Sequence, residues 1–240
     1  MAEAIGLSVV IPVFNEENNL EPLLKELVPV LESIGLGWEV LCVNDASTDA
    51  SAAVLARLAA GEPRLRVLTH RINSGESAGQ ASGFRHARGD LVVTMDADLQ
   101  NDPADIARYL AALGPGIDAV CGYRAERREG WLRRFASRTA NRFRAAITGD
   151  WLRDAGCTFR LLRREALADI PVFNGMHRFL PTLIKAQGGA VVEIPINDRP
   201  RLAGVSKYGI NNRLWRGLAD CFGVRWYQRR ALRLDRLSDA

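Results

Sequence analysis

Over its first 124 residues the chain alternates short apolar runs with segments of helical periodicity, and that alternation admits few folds. Leu7 to Val13 reads as a strand, Glu17 to Ser33 as a helix, Trp38 to Val43 as a strand, Asp49 to Ala60 as a helix and Arg66 to Thr69 as a strand. Ser77 to Ala87 is then helical, Leu91 to Met95 a strand, Asp102 to Leu113 a helix and Ala119 to Tyr123 a strand. Strands apolar on both faces and separated by helices imply a mostly parallel sheet covered on both sides. The expectation is a doubly wound α/β domain. Ligands of such sheets bind beyond the carboxyl ends of the strands, so the residues after each apolar run are where chemistry is to be sought.

Beyond Tyr123 the pattern turns basic. Trp131, Phe135, Phe143 and Ile147 recur at multiples of four beside Arg134, Arg138 and Arg142, which spells an amphipathic basic helix. Ala190 to Ile196 reads as a strand, Arg199 to Gly209 as a loop, and Asn211 to about Arg233 as a second basic amphipathic helix carrying Leu214, Leu218, Phe222 and Trp226. With no linker or repeat in sight, residues 1–210 are expected to form one domain, to which the helix of residues 211–240 belongs. The longest apolar stretches fall short of the roughly 18 to 20 residues that span a bilayer, so the chain is not expected to cross a membrane. Glu3 and the strand that follows do not resemble a secretory leader, which points to the cytoplasm. Cys42, Cys121, Cys157 and Cys221 lack C-x-x-C spacing and read as buried free thiols.

Charge divides the chain. Residues 1–110 hold 8 Lys/Arg against 16 Asp/Glu, a net of −8, and residues 111–240 hold 24 against 12, a net of +12. Of the 32 basic residues 29 are Arg, the side chain suited to bidentate phosphate contacts. An acidic first half would repel phosphate backbones, so nucleic acid is not an expected partner.

The first strand ends in PVFNE (Pro12 to Glu16) and the second in NDASTD (Asn44 to Asp49). Asn15, Glu16, Asn44 and Asp45 can accept the N–H of a base and the hydroxyls of a ribose, although Asn15 and Asp49 taken singly also read as helix caps. No G-x-G-x-x-G follows the first strand, which argues against a dehydrogenase. The fourth strand ends in DADLQ, where extended geometry would point Asp96, Asp98 and Gln100 the same way, toward one hard cation holding a diphosphate.

PVFNE, NDASTD, NSGESAG (Asn73 to Gly79), ARGDLVVTMDADLQNDP (Ala87 to Pro103), GYR (Gly122 to Arg124), DAGCTFRLLRR (Asp154 to Arg164), HRF (His177 to Phe179) and RLAGVSKYG (Arg201 to Gly209) occur in the order found in glycosyltransferase family 2. The chain most resembles the polyprenyl-phosphate branch of that family, the dolichyl-phosphate mannose synthase type. The resemblance implies a GT-A, Rossmann-like fold and a metal-dependent, inverting transfer of sugar from a nucleotide-diphosphate sugar to a polyprenyl phosphate, with Mg²⁺ or Mn²⁺ as cofactor. It places Pro12, Phe14, Asn15, Glu16 and Asp45 at the nucleoside and Asp96, Asp98 and Gln100 at the metal and diphosphate. Arg124, Arg133 and Ser137 match residues around the acceptor phosphate, Asp154 lies beside the acceptor, and Arg201, Ser206 and Lys207 belong to a loop that closes over the site. In such a reaction Asp98, Asp154 and Arg124 carry the chemistry, and Asp154 orients an Arg or a sugar hydroxyl rather than removing a proton.

Three positions depart from the pattern. Asn44 and Ala46 stand where Asp and Gly are commoner, and Glu76 stands where Lys or Gln is frequent, which implies an altered donor preference. No transmembrane hairpin follows residue 210, so contact with an anionic membrane surface, on its cytoplasmic face, falls to the basic helices or to a separate small membrane-anchoring subunit. A family 2 transferase acting on a soluble saccharide is the alternative function.

Overall fold

The computed structural model describes residues 4–125, 141–199 and 210–232. Its strands are β1 (Ile5–Val13), β2 (Gly37–Asn44), β3 (Leu65–Thr69), β4 (Leu91–Thr94), β5 (Ala119–Arg124), β6 (Arg160–Arg163) and β7 (Val191–Ile196). Its helices are α1 (Leu20–Ser33), α2 (Ser51–Gly61), α3 (Glu76–His86), α4 (Asp105–Ala112), α5 (described over 141–148), α6 (Leu180–Ala186) and α7 (Ile210–Arg230). The strands lie in the order β3-β2-β1-β4-β6-β5-β7; β6 is antiparallel to both neighbours and the other pairs are parallel.

The alternation of side chains along β1 explains its unbroken apolarity. Leu7, Val9, Ile11 and Val13 pack under α1, α2 and α4, while Val10 packs with Leu41, Val92 and Leu162 under α3, α6 and α7. Helix α1 holds its place through Leu20, Leu23, Leu24, Leu27 and Leu31, an i, i+3, i+4 stripe that is buried throughout. Burying one such leucine contributes roughly 1.5 to 3 kcal/mol, so this helix is held by packing. Helix α3 can lie close to β1 because its contact face is glycine: a Cβ at Gly83 would sit 2.1 Å from Val10 Cγ1, and one at Gly79 would sit 3.0 Å from Pro12 Cβ. That contact seats the start of α3 beside the end of β1. The four cysteines are buried and free, and desolvation pushes the thiols of Cys42, Cys121 and Cys157 up to about 12.

Two elements were not read from the sequence. β6 lies inside the stretch taken only as a motif, and α6 is a single short helix of 7 residues. The two basic helices divide their apolar positions between the core and the outside. Among the described side chains of α7, Cys221 and Val224 are buried and pack in the core beside α6, while Phe222 and Trp226 are 58% and 65% exposed. On α5 Phe143 faces outward and Arg144 is buried, because Asp150 and Thr182 supply polar partners beneath it.

Candidate active site

The loops after β1 and β2 are laced together. Asn15 accepts from the Thr48 N–H at 2.7 Å through Oδ1 and donates to the Thr48 hydroxyl at 3.1 Å through Nδ2. Its own N–H donates to Ser47 Oγ at 3.0 Å, and the Glu16 N–H to Ser51 Oγ at 2.9 Å. Asn15 therefore joins two strand ends instead of capping a helix, while Asp49, just ahead of α2, accepts the Ser51 N–H at 2.9 Å. Pro12, Phe14, Asn15 and Glu16 remain partly exposed along this rim.

Asp45 is 3% exposed and organises the next loop. Its Oδ1 accepts from the Ser74 N–H at 2.9 Å, its Oδ2 from the Gly75 N–H at 2.7 Å, and its backbone carbonyl from Asn73 Nδ2 at 3.1 Å. His70 lies with Nδ1 2.6 Å from Asp45 Oδ1 and Nε2 2.8 Å from Ser82 Oγ. Sequence reading missed His70, although it directly follows β3 at the edge where chemistry was sought. Gly75, at φ 86°, makes the turn from which α3 starts.

At β4 the structure corrects one step of the sequence argument. The strand ends at Thr94, and residues 97–99 form a turn in which Leu99 takes φ 64°, so Asp96, Asp98 and Gln100 do not alternate along an extended chain. Asp96 accepts from the Thr158 hydroxyl at 2.6 Å, and its N–H donates to Asn101 Oδ1 at 3.0 Å. Asp98 Oδ1 receives the Gln100 N–H at 3.2 Å and the residue is 7% exposed. No group of three His, Cys, Asp or Glu side chains placed to hold a metal ion occurs among the described residues. Two carboxylates and an amide oxygen on one turn still form an all-oxygen donor set, the chemistry that suits Mg²⁺ or Mn²⁺ with remaining ligands from a diphosphate.

Arg124 ends β5 and is gripped by Asp154, with Nε donating to Oδ2 at 2.8 Å and Nη2 to Oδ1 at 3.2 Å. Asp154 is 5% exposed. Burial works against the guanidinium charge, but the Asp154 carboxylate prevails and raises its pKa further, so Arg124 is a permanent cation at the rim. The fork leaves its Nη1 donors beyond the pair.

On the α3 side, the 3₁₀ turn Met176–Arg178 is pinned to the helix start. Ser77 Oγ accepts from the Gly175 N–H at 2.9 Å and lies 2.7 Å from His177 Nδ1, while His177 Nε2 lies 3.4 Å from Glu76 Oε2. Arg160, 1% exposed, donates to the His177 carbonyl at 2.7 Å. Three non-glycine residues adopt left-handed φ among the described residues, Asn15 and Ala46 at 55° and Leu99 at 64°, and they follow β1, β2 and β4. These left-handed residues thus cluster at three strand ends on one edge of the sheet. Arg133, Ser137, Arg201, Ser206 and Lys207 lie outside the described residues.

Residues 8–171 match the model of glycosyl transferase family 2. The chain is 38% identical over 206 residues to undecaprenyl-phosphate 4-deoxy-4-formamido-L-arabinose transferase of Edwardsiella ictaluri, covering 85% of this chain and 63% of that protein. It is 35% identical over 233 residues to dodecaprenyl-phosphate galacturonate synthase of Rhizobium johnstonii, covering 95% of this chain and 68% of that one. The chain thus spans about two thirds of the length of these relatives. Among solved structures, glucosyl-3-phosphoglycerate synthase from Mycobacterium tuberculosis in complex with Mn²⁺, uridine-diphosphate and phosphoglyceric acid superposes with a TM-score of 0.70 at 20% identity, over 91% of this chain and 79% of that one. The same synthase with Mg²⁺ and uridine-diphosphate gives 0.68 at 19% identity, over 91% and 80%. The fold is the GT-A-like one that the motifs implied, and with the family model covering most of its length the chain belongs to glycosyl transferase family 2.

Proposed function

We infer that this chain transfers a sugar, with inversion, from a nucleotide-diphosphate sugar to a polyprenyl phosphate. One observation carries the reading: a cation held in a fixed orientation by a buried carboxylate, Arg124 on Asp154, stands at the end of β5 on the edge where β4 ends in its acidic turn. A phosphate acceptor needs such a cation, and a neutral saccharide acceptor does not. The two relatives, named for undecaprenyl- and dodecaprenyl-phosphate, support the same acceptor class.

In this reading the nucleoside rests on Pro12, Phe14, Asn15, Glu16 and Asp45, and the diphosphate lies over Asp96, Asp98 and Gln100. A divalent cation bound at that turn supplies the charge that stabilises a departing nucleoside diphosphate. A phosphate monoester is largely ionised at pH 7, so what the protein must do is align it behind the anomeric carbon. Arg124 does so through the donors Asp154 leaves available, and Asp154 orients without taking a proton. Arg133, Ser137, Arg201, Ser206 and Lys207 would complete the acceptor side.

The lipid has to be met at a bilayer. No described helix is long and apolar enough to cross one, and α7 instead presents Phe222 and Trp226 outward, followed by Arg229 and Arg230. Aromatic and basic groups on one helix suit peripheral attachment to an anionic surface. The test pairs nucleotide-sugar binding by calorimetry with transfer to a short polyprenyl phosphate. Arg124→Ala should lower transfer ten- to a hundredfold, since a charged contact contributes about 1.5 to 3 kcal/mol, and leave donor affinity unchanged. Normal transfer by that variant, or loss of donor binding, would place the acceptor elsewhere.

A further inference from the structure

The proposed reaction gives no role to one polar cluster, formed by Glu76, Ser77, His177 and Arg160. Its position follows from backbone contacts. Arg160 is paired in register with Thr94 of β4 on one side and Cys121 of β5 on the other, and through its Nη1 it holds the carbonyl of His177. His177 therefore stands at the junction between β4, whose end carries Asp96 and Asp98, and β5, whose end carries Arg124. A sugar passing from a diphosphate at the first to a phosphate at the second has to lie in that interval. Glu76 reaches the same rim from α3: the preceding N–H, that of Gly75, is bound by Asp45 at 2.7 Å, and Gly79 one turn on packs against Pro12.

The cluster is polar by construction. With the Ser77 proton directed to Nδ1 of His177, the imidazole proton sits on Nε2 and faces Glu76, a tautomer that satisfies the three side chains together. Gln80 Nε2 lies 3.4 Å from the other oxygen, Glu76 Oε1. The carboxylate is thus steered from both sides while its side chain stays 36% exposed. Behind it the buried Arg160 fixes the turn through its bond to the His177 carbonyl.

We propose that Glu76, positioned by His177, reads the donor sugar and selects a neutral or amino sugar against a uronic acid. The assignment rests on the donor reading given above. A fixed carboxylate accepts hydrogen bonds from hydroxyl, amino or amide N–H groups and repels a second carboxylate. The relatives leave the choice open, one being named for a formamido-arabinose and another for galacturonate.

The experiment uses the full chain with Mn²⁺. Whichever of UDP and GDP binds more tightly by calorimetry is taken forward, and its glucose, glucosamine and glucuronate conjugates are compared. The parent should prefer the neutral and amino conjugates to the uronate by about tenfold or more. Glu76→Gln should remove that preference and Glu76→Lys reverse it, with affinity for the bare nucleoside diphosphate unchanged. His177→Ala should narrow the preference and likewise spare the bare nucleotide, a split that general unfolding would not produce. A parent that binds the nucleotide yet shows no preference, or favours the uronate, overturns the sugar assignment alone. So does a Glu76→Lys variant that alters every affinity equally. Failure of the parent to bind either nucleotide overturns the donor reading and this proposal with it.

Discussion

Asp154 directs its buried charge at the Arg124 fork, and the consequence is measurable. Replacing it by Asn keeps the shape but removes the charge that holds that fork, so Asp154→Asn should weaken transfer to polyprenyl phosphate with a nearly unchanged pH profile. A lost proton-transfer role would instead change that profile. Asp98→Asn, or excess chelator, should abolish transfer and donor binding while the circular dichroism spectrum stays native; full activity in chelator would rule out the cation. A third residue works far from the site. Glu39 is buried and desolvation pushes its pKa up, but donors from Arg66, Ser8 and the Arg88 N–H outweigh that and hold it below the usual Glu value. A lowered folded pKa means that its stabilisation is complete above the ordinary glutamate range and is lost as pH falls through the lowered value. Glu39→Gln should therefore flatten the acid limb of stability, read as urea midpoints between about pH 3 and 6. Asp98 and Arg124 were legible in the sequence because they follow apolar runs, Asp154 only through the family resemblance, and Glu39, inside a strand, not at all. Bonding was not legible either: Asn15 and Asp45 are largely occupied by neighbouring loops, which only the spatial adjacency of β1, β2 and β3 reveals.

At the scale of elements, the parallel half was readable because period and punctuation agree, run after run. β6 was not, since RLLR carries a charge at each end and spans only 4 residues, too short for a periodic signal. Arg160 is buried all the same, bonded to a carbonyl contributed by a distant turn. The apolar positions of α7 could not be divided from the sequence for a related reason: an apolar stripe at helical spacing does not say whether protein or another surface covers it. The seat of α3 on β1 yields a sharp expectation. Gly83→Ala should destabilise the fold by about 1 to 3 kcal/mol through overpacking against Val10, and Val10→Ala introduced with it should restore part of the loss. Additive losses in a double-mutant cycle would show that the two do not meet.

Over the whole molecule, residues 1–110 carry a net charge of −8 and residues 111–240 one of +12, a division that in the proposed reading falls between the donor-side strands and the acceptor side. Binding to vesicles containing anionic lipid should fall steeply with salt, at roughly 1 kcal/mol per basic group engaged, and Phe222→Ser with Trp226→Ser should weaken it without lowering Tm, because both side chains are already exposed. Equal binding to neutral vesicles at low salt would remove the electrostatic part of that picture. The antiparallel strand at the middle of the sheet also governs how the protein comes off the ribosome. β4 is finished at Thr94, yet its outer neighbour begins only at Arg160, and β5, made in between, has no place to dock until that strand arrives. With synthesis at about 5 to 20 residues per second, the nascent chain holds an open edge at Val92 and Val93 for several seconds, a template for pairing with other chains. A ribosome stalled before β6 should thus display a species that recruits chaperones, and one stalled after β7 should not, which makes the order of synthesis itself the interval in which this chain is exposed to aggregation.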